Sequence, residues 1–375
     1  MIYLDYSATT PVNQEVLDSF TKACNMYPGN PNSLHKLGVA SKTMIDKATN
    51  QIASIMGVKA EEIIYTSGSS ESNNLAIKGI CLMYHNRGKH IITTDLEHSS
   101  IYGPIDYLLT LGFEVSYVKL TSEGKVDLDD LKRLMRDDTV LVTINSVNSE
   151  LGIEQPVNEI GELLKNYPKC YFHVDMTQSV GKVNVNCSNI DLISFSAHKF
   201  FGLKGIGVLI KKERIEMEPL IHGGKSTTKY RSGTPALPLI VSLAKALRLA
   251  TENLNNDYKY ISELNSYLRS ELKKYDKVFV NSPTAAIPHI LNISVVGVKP
   301  ETLLHALEEH DIYISTQSAC SSSHSESRAV YAVTGDESRA TSSVRISLSK
   351  LTTKNELDEF LNIFDKCYER LTNLR

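Results

Sequence analysis

Two short apolar segments, each followed by a chemically reactive side chain, constrain the fold of this chain most strongly. The segment Tyr171-Phe-His-Val ends in Asp175, and the segment Leu192-Ile-Ser-Phe-Ser is closely followed by Lys199. Short apolar runs that end in polar residues and turn signals are typical of buried parallel strands, whose carboxyl ends carry the functional groups of α/β sheets. The sequence therefore predicts an α/β fold with Asp175 and Lys199 on neighbouring strand ends.

The two residues together point to a cofactor, although each alone has an ordinary explanation. A single aspartate at a strand end is often a helix cap, and a single lysine is usually a solvated surface charge. A pyridoxal phosphate enzyme needs both groups, because a lysine amine forms the Schiff base and a carboxylate pairs with the pyridinium nitrogen. Gln178, Ser196 and His198 lie close to the pair in the sequence and favour the cofactor.

The segments that contain these residues resemble a known family. HVDMTQS and SFSAHKFFGLKG are similar to the HVDATQS and SFSGHKxxGPKG segments of the cysteine desulfurases of the NifS/IscS type. The resemblance extends over nearly the whole chain, from the Tyr3-Leu-Asp-Tyr-Ser segment to Ser343-Val-Arg-Ile-Ser. It implies the pyridoxal-phosphate-dependent transferase fold, that is, fold type I, like aspartate aminotransferase. Such a fold has a large, mostly parallel-sheet domain and a small α+β domain.

Strand and helix patterns divide the chain into two predicted domains. Residues 14–255 form the large domain that binds the cofactor. Residues 1–13 and 256–375 form the small α+β domain. This domain carries the loop that contains the expected catalytic cysteine, Cys320. We expect one long helical stretch, from Ala236 to about Tyr275, to connect the two domains, because its first part is apolar and its end carries many charges.

Composition excludes several classes of protein. The 375 residues are 42% hydrophobic and carry a formal net charge of −3 without a dense run of Lys or Arg, so direct nucleic-acid binding is not indicated. No apolar run approaches the roughly 20 residues needed to span a bilayer. The first residues lack the basic and apolar regions of a signal peptide. We therefore expect a soluble, cytoplasmic protein without a membrane partner.

Ser69 and Ser70 lie in a candidate phosphate site. They follow the predicted strand 62–66 and a glycine-containing turn, and they precede the helical run LAIKGICLMY. This order is the geometry of an anion site, because the unpaired N–H groups and the positive end of the helix point at the ligand. A plain serine cap would explain the same pattern. The resemblance to the family segment TSGATESDN favours a phosphate, with Ser196 and His198 adding to its binding.

The resemblance implies further contacts with the cofactor. His98 follows the predicted strand 90–94. A histidine at this place could simply cap a helix. In the family, the histidine of this segment stacks on the cofactor ring and moves protons, and the resemblance implies the same role for His98. Gln178 is expected to contact the ring hydroxyl. Asn148, in NSVNSELG against the family's HVNNEIG, is expected at the ring and the substrate carboxylate. Thr234, in the RSGT segment, is expected to reach the cofactor phosphate of the partner subunit, which implies a homodimer.

Cys320 is the candidate nucleophile. The six cysteines show no CxxC pair and no regular spacing, which argues against a disulfide framework or a zinc site, and five of them suit packing roles. Cys320 instead lies in the polar, serine-rich segment 316–327, where an accessible thiol ionises more readily than a buried one. An incidental exposed cysteine is the alternative. The segment resembles the family's SGSACTS motif, whose cysteine attacks the substrate sulfur.

Arg345 is the candidate substrate-binding residue. It lies on a predicted strand among apolar residues, where a guanidinium without a partner would be costly. A structural ion pair would account for it. Bidentate capture of the α-carboxylate of an amino acid would also account for it, and this second use, which is the family's, is our interpretation.

Together, the resemblances imply a cysteine desulfurase. L-Cysteine would be converted to L-alanine with Lys199 as the base, and a persulfide on Cys320 would pass to an acceptor protein, either an iron–sulfur scaffold or a tRNA-thiolation enzyme. Met176, Ser149 and Gln317 replace the family's Ala, Asn and Gly. These departures leave open a weakly active partner-binding subunit. Selenocysteine lyase and an ordinary class V aminotransferase are the enzymatic alternatives.

Overall fold

The computed structural model describes residues 1–316 and 326–373 of the chain. The β-strands are β1 (Ile2–Tyr3), β2 (Ile63–Thr66), β3 (His90–Thr93), β4 (Glu114–Tyr117), β5 (Thr139–Asn145), β6 (Tyr171–Asp175), β7 (Leu192–Ser196), β8 (Gly207–Lys211), β9 (Val278–Val280), β10 (Ile290–Val295), β11 (Ile312–Tyr313) and β12 (Ser343–Ser347). The α-helices are α1 (Gln14–Met26), α2 (Lys36–Met56), α3 (Ser69–Met83), α4 (Ser99–Leu109), α5 (Leu128–Leu134), α6 (Val157–Leu164), α7 (Leu237–Glu252), α8 (Leu254–Leu272), α9 (Pro300–Glu308), α10 (Arg328–Thr334), α11 (Glu337–Ala340) and α12 (Lys354–Thr372).

A seven-stranded sheet forms the centre of the molecule, in the order β2-β8-β7-β6-β5-β3-β4. The strands from β4 to β7 pair in parallel, whereas β8 runs antiparallel to both β2 and β7. The prediction of a mostly parallel sheet in an α/β fold is therefore confirmed. Strands β5 and β7 are buried at every residue, which explains their nearly continuous apolar sequences.

Helices cover both faces of this sheet. Successive side chains of a strand point to opposite faces, so neighbouring residues join different apolar cores. Val142 and Ile193 belong to the core that contains residues of α1, α2 and α7. Leu141 and Leu192 belong to the core on the other face, which contains residues of α3 and α4. Burial on both faces leaves the strand ends as the places where side chains of the sheet can reach a cavity.

The carboxyl ends of β5, β6 and β7 lie side by side. The register pairs Asn145 with Asp175 and Asp175 with Ser194. A short 3-10 turn, Ala197–Lys199, follows β7 directly. The sheet therefore brings the segments that contain Asp175 and Lys199 to the same edge.

A second apolar core occupies the C-terminal part of the chain. It contains residues of the antiparallel sheet β12-β10-β9 and of helices α8, α9 and α12, together with Ile2 and Leu4 from the N-terminus. Strands β1 and β11 pair in parallel beside it. The domain boundary at residues 255 and 256 stays a prediction. Among the described residues, no helix combines the length and apolar character that a membrane crossing requires.

The predicted helix from Ala236 to about Tyr275 is wrong in one respect. Two helices, α7 and α8, occupy this stretch and meet at Asn253, whose backbone angles, φ −116° and ψ 16°, are not helical. Asparagine is a poor helix former because its side chain competes for backbone hydrogen bonds. A continuous helical pattern on either side of one residue does not reveal such a break.

Candidate active site

A cavity of about 330 Å³ at the carboxyl edge of the sheet collects most of the predicted site residues. The predicted residues that line it are Ser69, Ser70, His98, Asp175, Gln178, Ser196, His198, Lys199 and Arg345. Asn148 and Thr234 are not part of this lining in the described portion of the chain. Cys320 and Gln317 lie outside the described residues.

Lys199 meets the N-terminal segment of the chain. Its Nζ donates hydrogen bonds to the carbonyl oxygens of Ser7 and Ala8, each at 2.8 Å. The backbone N–H and the hydroxyl of Thr10 both donate to the carbonyl oxygen of His198, at 2.9 Å. These bonds hold residues 7–10 against the turn that carries Lys199, and Ser7, Ala8 and Lys199 all line the cavity.

Asp175 is held by donors on both carboxylate oxygens. Its side chain is 6% exposed at the end of β6. One oxygen, Oδ2, accepts from the amide of Asn73 at 2.9 Å, and the other, Oδ1, accepts from the N–H of Thr177 at 2.9 Å and from its hydroxyl at 2.5 Å. These bonds fix the plane of a buried carboxylate beside the cavity.

His98 caps α4, and its ring also lines the cavity. Its Nδ1 accepts from the backbone N–H of Ser100 at 3.1 Å and lies 2.8 Å from the hydroxyl oxygen of the same residue. Burial lowers the pKa of the imidazole; the charges of Lys199 and Arg345 act in the same direction, whereas Asp175 opposes them. The capping role that the sequence left open is thus present alongside the position at the cavity.

The start of α3 forms one wall of the cavity. Gly68 precedes this helix and has no side chain with which to cap it, and the N–H of Ser69 donates to the hydroxyl of Ser196 at 2.6 Å. The positive end of the helix therefore faces the cavity, where an anion would be stabilised. Burial, followed by the charge of Lys199, lowers the pKa of His198 to about 4, so its ring is neutral beside this wall.

Gln178 is oriented by a lysine that the sequence patterns did not reveal. The side-chain amide of Gln178 donates to the carbonyl oxygen of Ser7 at 3.0 Å, and its Oε1 accepts from Lys182 Nζ at 2.5 Å. Lys182 is buried, and burial lowers its pKa well below the usual range. The spacing of four residues between Gln178 and Lys182 is the only sequence signal of this contact.

Arg345 makes the ion pair that the sequence left open. The guanidinium is 2% exposed, donates to Asp5 at 2.9 Å and donates to the carbonyl oxygen of Ser149 at 2.9 Å. Its Nε is buried and has no hydrogen-bond partner among the described residues. The residue therefore makes a structural contact, lines the cavity and keeps one buried donor unused.

Asn148 lies in the turn after β5 and is not part of the cavity lining in the described part of the chain. Its amide donates to the carbonyl oxygen of Leu96 at 2.8 Å, and its Oδ1 accepts from the N–H groups of Glu150 and Leu151 at 3.0 and 2.6 Å. These bonds hold the turn after β5, and the predicted contact of Asn148 with the ring and the substrate carboxylate stays a prediction. Ser149, its neighbour, lines the cavity instead.

Two other predicted residues lie apart from the cavity. Thr234 is exposed and lines a separate surface groove together with Pro31 and Asn32. Its contact with a partner subunit stays a prediction. Met176, the bulkier replacement at the predicted cofactor face, is 1% exposed and packs in the large apolar core.

Glu97 and Asn145 form a buried pair beside the cavity that no predicted site residue anticipated. Glu97 Oε1 accepts from the hydroxyl of Thr94 at 2.6 Å, from the N–H of Asn145 at 3.1 Å and from its side-chain amide at 3.0 Å. Burial raises the pKa of Glu97 to about 8, and the charge of Asp175 also raises it. Asn145 Oδ1 is buried without a partner among the described residues, and Asn145 lines the cavity.

The buried carboxyl of Glu97 predicts a pH-dependent stability. Its folded-state pKa is about 8 against an ordinary 4.5. As pH rises, Glu97 therefore ionises in the unfolded chain before it ionises in the folded protein. Ionisation stabilises the unfolded chain, so the folded protein loses stability until the pH has passed its own pKa of about 8. Relative to Glu97→Gln, we expect the free energy of unfolding of the unaltered protein to fall by about 3 kcal/mol between pH 5.5 and 8.5. Urea unfolding at both pH values measures this, and equal pH dependence in the two proteins would contradict it.

Comparison with known proteins assigns the family. Residues 2–360 match the family described as Aminotransferase class-V. The cysteine desulfurase IscS of Dictyoglomus turgidum is 38% identical over 378 residues, which cover 100% of this chain and 96% of the relative. A solved NifS-like protein covers 100% of both chains at 34% identity and a TM-score of 0.92. SspA in complex with cysteine covers 94% of this chain and 100% of its own, at 30% identity and a TM-score of 0.83. The chain therefore belongs to the class V aminotransferase family.

Proposed function

We propose that the protein is a pyridoxal-phosphate-dependent cysteine desulfurase. It removes sulfur from L-cysteine, leaves L-alanine, and carries the sulfur on Cys320 as a persulfide to an acceptor protein, such as an iron–sulfur scaffold or a tRNA-thiolation enzyme. The observation that carries the proposal is the meeting of Lys199, Asp175 and Arg345 around one cavity. Full-length similarity to a cysteine desulfurase supports the same activity.

The side chains at the cavity suit pyridoxal phosphate. The half-buried amine of Lys199, the buried carboxylate of Asp175 and the uncapped start of α3 are the groups that an aldehyde, a pyridine nitrogen and a phosphate require. Asn145 Oδ1 and Arg345 Nε are buried polar atoms without partners among the described residues, which supports a polar ligand. When bound, the cofactor supplies an electron sink for the charge that develops at the substrate Cα.

The predicted residues of the lining would divide the contacts with the cofactor among them. Lys199 would hold it covalently, Asp175 would keep the proton on the ring nitrogen, and Gln178 would donate to the ring oxygen. His98 would lie against the ring. Ser69, Ser70, Ser196 and His198 would hold the phosphate. The contact between Gln178 Oε1 and Lys182 supports the assignment of the Gln178 amide as the donor.

The substrate is bound and cleaved by three residues. Arg345 would bind the α-carboxylate, and the amine of Lys199 would take the proton from Cα. The thiolate of Cys320 then attacks the substrate sulfur. A new S–S bond forms while the bond between Cβ and sulfur breaks, and its electron pair stays with the carbon fragment that is released as alanine.

A second copy of the chain completes the assembly in this proposal. The groove beside Thr234 is also lined by Leu34 and Val39, and Leu34 is 97% exposed. Exposed apolar residues around a polar loop are typical of a surface covered by another protein. A homodimer in which Thr234 reaches the partner's cofactor phosphate would use this surface.

One mixture tests the activity directly. Purified protein, L-cysteine and a thiol reductant should produce sulfide and alanine in equal amounts. If amino-group transfer instead depends on a keto acid and no sulfide appears, the protein is an ordinary aminotransferase. Selenide release from selenocysteine without sulfide release from cysteine would identify a selenocysteine lyase. Binding of a sulfur acceptor by a colourless, inactive protein would indicate a partner-binding subunit.

Replacing Arg345 with lysine separates its two roles. Lysine keeps the positive charge but cannot form a bidentate pair with a carboxylate. We expect Arg345→Lys to raise the KM for L-cysteine by about tenfold or more. Asp5→Asn is the matched control, because it removes the ion-pair partner and leaves the guanidinium in place. If both variants lower the melting temperature alike and neither changes KM, Arg345 has only a structural role.

A further inference from the structure

A chain of hydrogen bonds connects Asp175 to His98 through two residues that have no part in the proposed chemistry. The side-chain nitrogen of Asn73 lies 2.9 Å from Asp175 Oδ2 and 2.9 Å from Ser100 Oγ. Ser100 Oγ in turn lies 2.8 Å from His98 Nδ1. Asn73 is fully buried, so water does not compete for these contacts.

The direction of each bond follows from the chemistry of the groups. An ionised carboxylate only accepts, so the atom of Asn73 that faces Asp175 is the amide nitrogen. This nitrogen donates its second hydrogen to Ser100 Oγ, and the hydroxyl hydrogen of Ser100 is then available for His98 Nδ1. Asn73 Oδ1 is left buried without a partner among the described residues, which agrees with both amide hydrogens being used on the other side.

His98 Nδ1 is therefore an acceptor twice over. The backbone N–H of Ser100 donates to it at 3.1 Å, in addition to the hydroxyl. A ring nitrogen that accepts carries no proton, so the proton of the neutral imidazole lies on Nε2. Nε2 has no hydrogen-bond partner among the described residues, and the ring lines the cavity. Nε2 is thus the ring nitrogen available to a bound molecule.

We propose that Asn73 and Ser100 are positioning residues that fix His98 as a neutral hydrogen-bond donor, with its proton on Nε2, and tie its ring to Asp175. This inference rests on the proposed function, because it assigns what His98 presents to the cofactor and substrate. His98 then stabilises negative charge that develops in the cavity by donating from Nε2, as a preorganised dipole does. It does not act as a base, because its only unprotonated nitrogen is occupied by Ser100.

Charged groups around His98 set the pH range in which this arrangement holds. Asp175 on β6 favours the imidazolium, whereas Lys199 after β7 and Arg345 on β12 oppose it. Glu97 precedes His98 directly in the chain and is itself buried. The hydrogen bond from Ser100 favours the neutral ring, because a donor can bond Nδ1 only while that nitrogen is unprotonated.

The tautomer is measured by nitrogen NMR of protein labelled with [15N]histidine, with and without bound cofactor. The His98 signals are identified by their loss in His98→Gln. We expect a protonated Nε2 and an unprotonated Nδ1 in the unaltered protein at neutral pH. A protonated Nδ1, or a doubly protonated ring, would overturn the proposal. This measurement needs no turnover. It therefore still tests the tautomer of His98 if no sulfide is released and the proposed function is wrong.

Ser100→Ala tests the bridge itself. We expect Nδ1 to gain partial protonation and the acid limb of kcat/KM for sulfide release to move up by about half a pH unit, since the neutral ring loses a donor. Ser100→Thr keeps the hydroxyl and should retain the original profile. Ser99→Ala, in the same turn, is the matched control and should change neither quantity. An unchanged Nδ1 signal and pH profile in Ser100→Ala would show that the bridge does not position His98.

Asn73→Ala tests the same bridge from the other side. If Asn73 and Ser100 act as one chain, the double variant should move the pH profile by less than the sum of the two single shifts. Full additivity would mean that they act separately and would contradict the connection to Asp175. Should the buried Asn73→Ala variant fail to fold, the comparison of Ser100→Ala with Ser100→Thr carries the test.

Discussion

Replacing Cys320 with serine is expected to abolish sulfide release while the cofactor stays bound. A hydroxyl at this position is far less nucleophilic than a thiolate and cannot accept sulfur as a persulfide, so we expect a loss of at least about 10³-fold. Lys199, Asp175 and the start of α3 are unchanged in this variant, so the visible absorbance of the bound cofactor should remain. Sulfide and alanine assays, combined with an absorbance spectrum, measure both parts of the prediction.

Cys24→Ser is the matched control for this experiment. Cys24 is exposed on α1, so the same chemical change is made without disturbing a buried core. The control should release sulfide at the original rate. Full activity of Cys320→Ser would exclude Cys320 as the nucleophile and would leave an incidental exposed cysteine as the explanation of its sequence context.

Replacing Lys199 with alanine is expected to remove both the activity and the covalent attachment of the cofactor. The amine is the only group on the lining of the cavity, in the described part of the chain, that is placed to bond an aldehyde there. Its loss removes the anchor and the base together, so turnover should fall by at least about 10³-fold. The visible absorbance of the covalently bound cofactor should disappear, and added pyridoxal phosphate should wash out during gel filtration.

Lys204→Ala gives the comparison for Lys199→Ala. Lys204 is exposed and lies in the segment that follows the same turn. The Lys204→Ala variant should retain colour and activity. This result would show that removing a nearby positive charge does not by itself cause the losses expected in Lys199→Ala. An unaltered spectrum in Lys199→Ala would show that Lys199 does not bind the cofactor covalently. The proposed chemistry would then be wrong.

Local patterns were enough to predict most of the regular structure. The apolar run of β5 fills a strand that is buried at every residue, and buried strands with this length and composition have few alternatives. Helix α12 also carries a local signal at its start. It begins at a capping box in which Thr353 and Glu356 bond each other's backbone N–H groups. These features depend on neighbours within a few residues.

Contacts between distant segments could not be predicted in the same way. The amide of Asn148 donates to the carbonyl oxygen of Leu96, which lies 52 positions away. Arg345 and Asp5 form an ion pair across 340 positions, and Asn73 reaches Asp175 across 102 positions. No spacing in the sequence encodes either pair, because each depends on how separate elements pack.

By itself, the sequence determined which reactive side chains follow the buried strands, among them Asp175 and Lys199, because strand burial is written in local runs of apolar residues. Only the tertiary structure decided what those side chains meet: the carbonyls of Ser7 and Ala8 for the lysine, and Asn73 for the aspartate. The physical reason is one of range. A strand is specified by its own residues, whereas a hydrogen bond across the cavity exists only once the whole chain has packed.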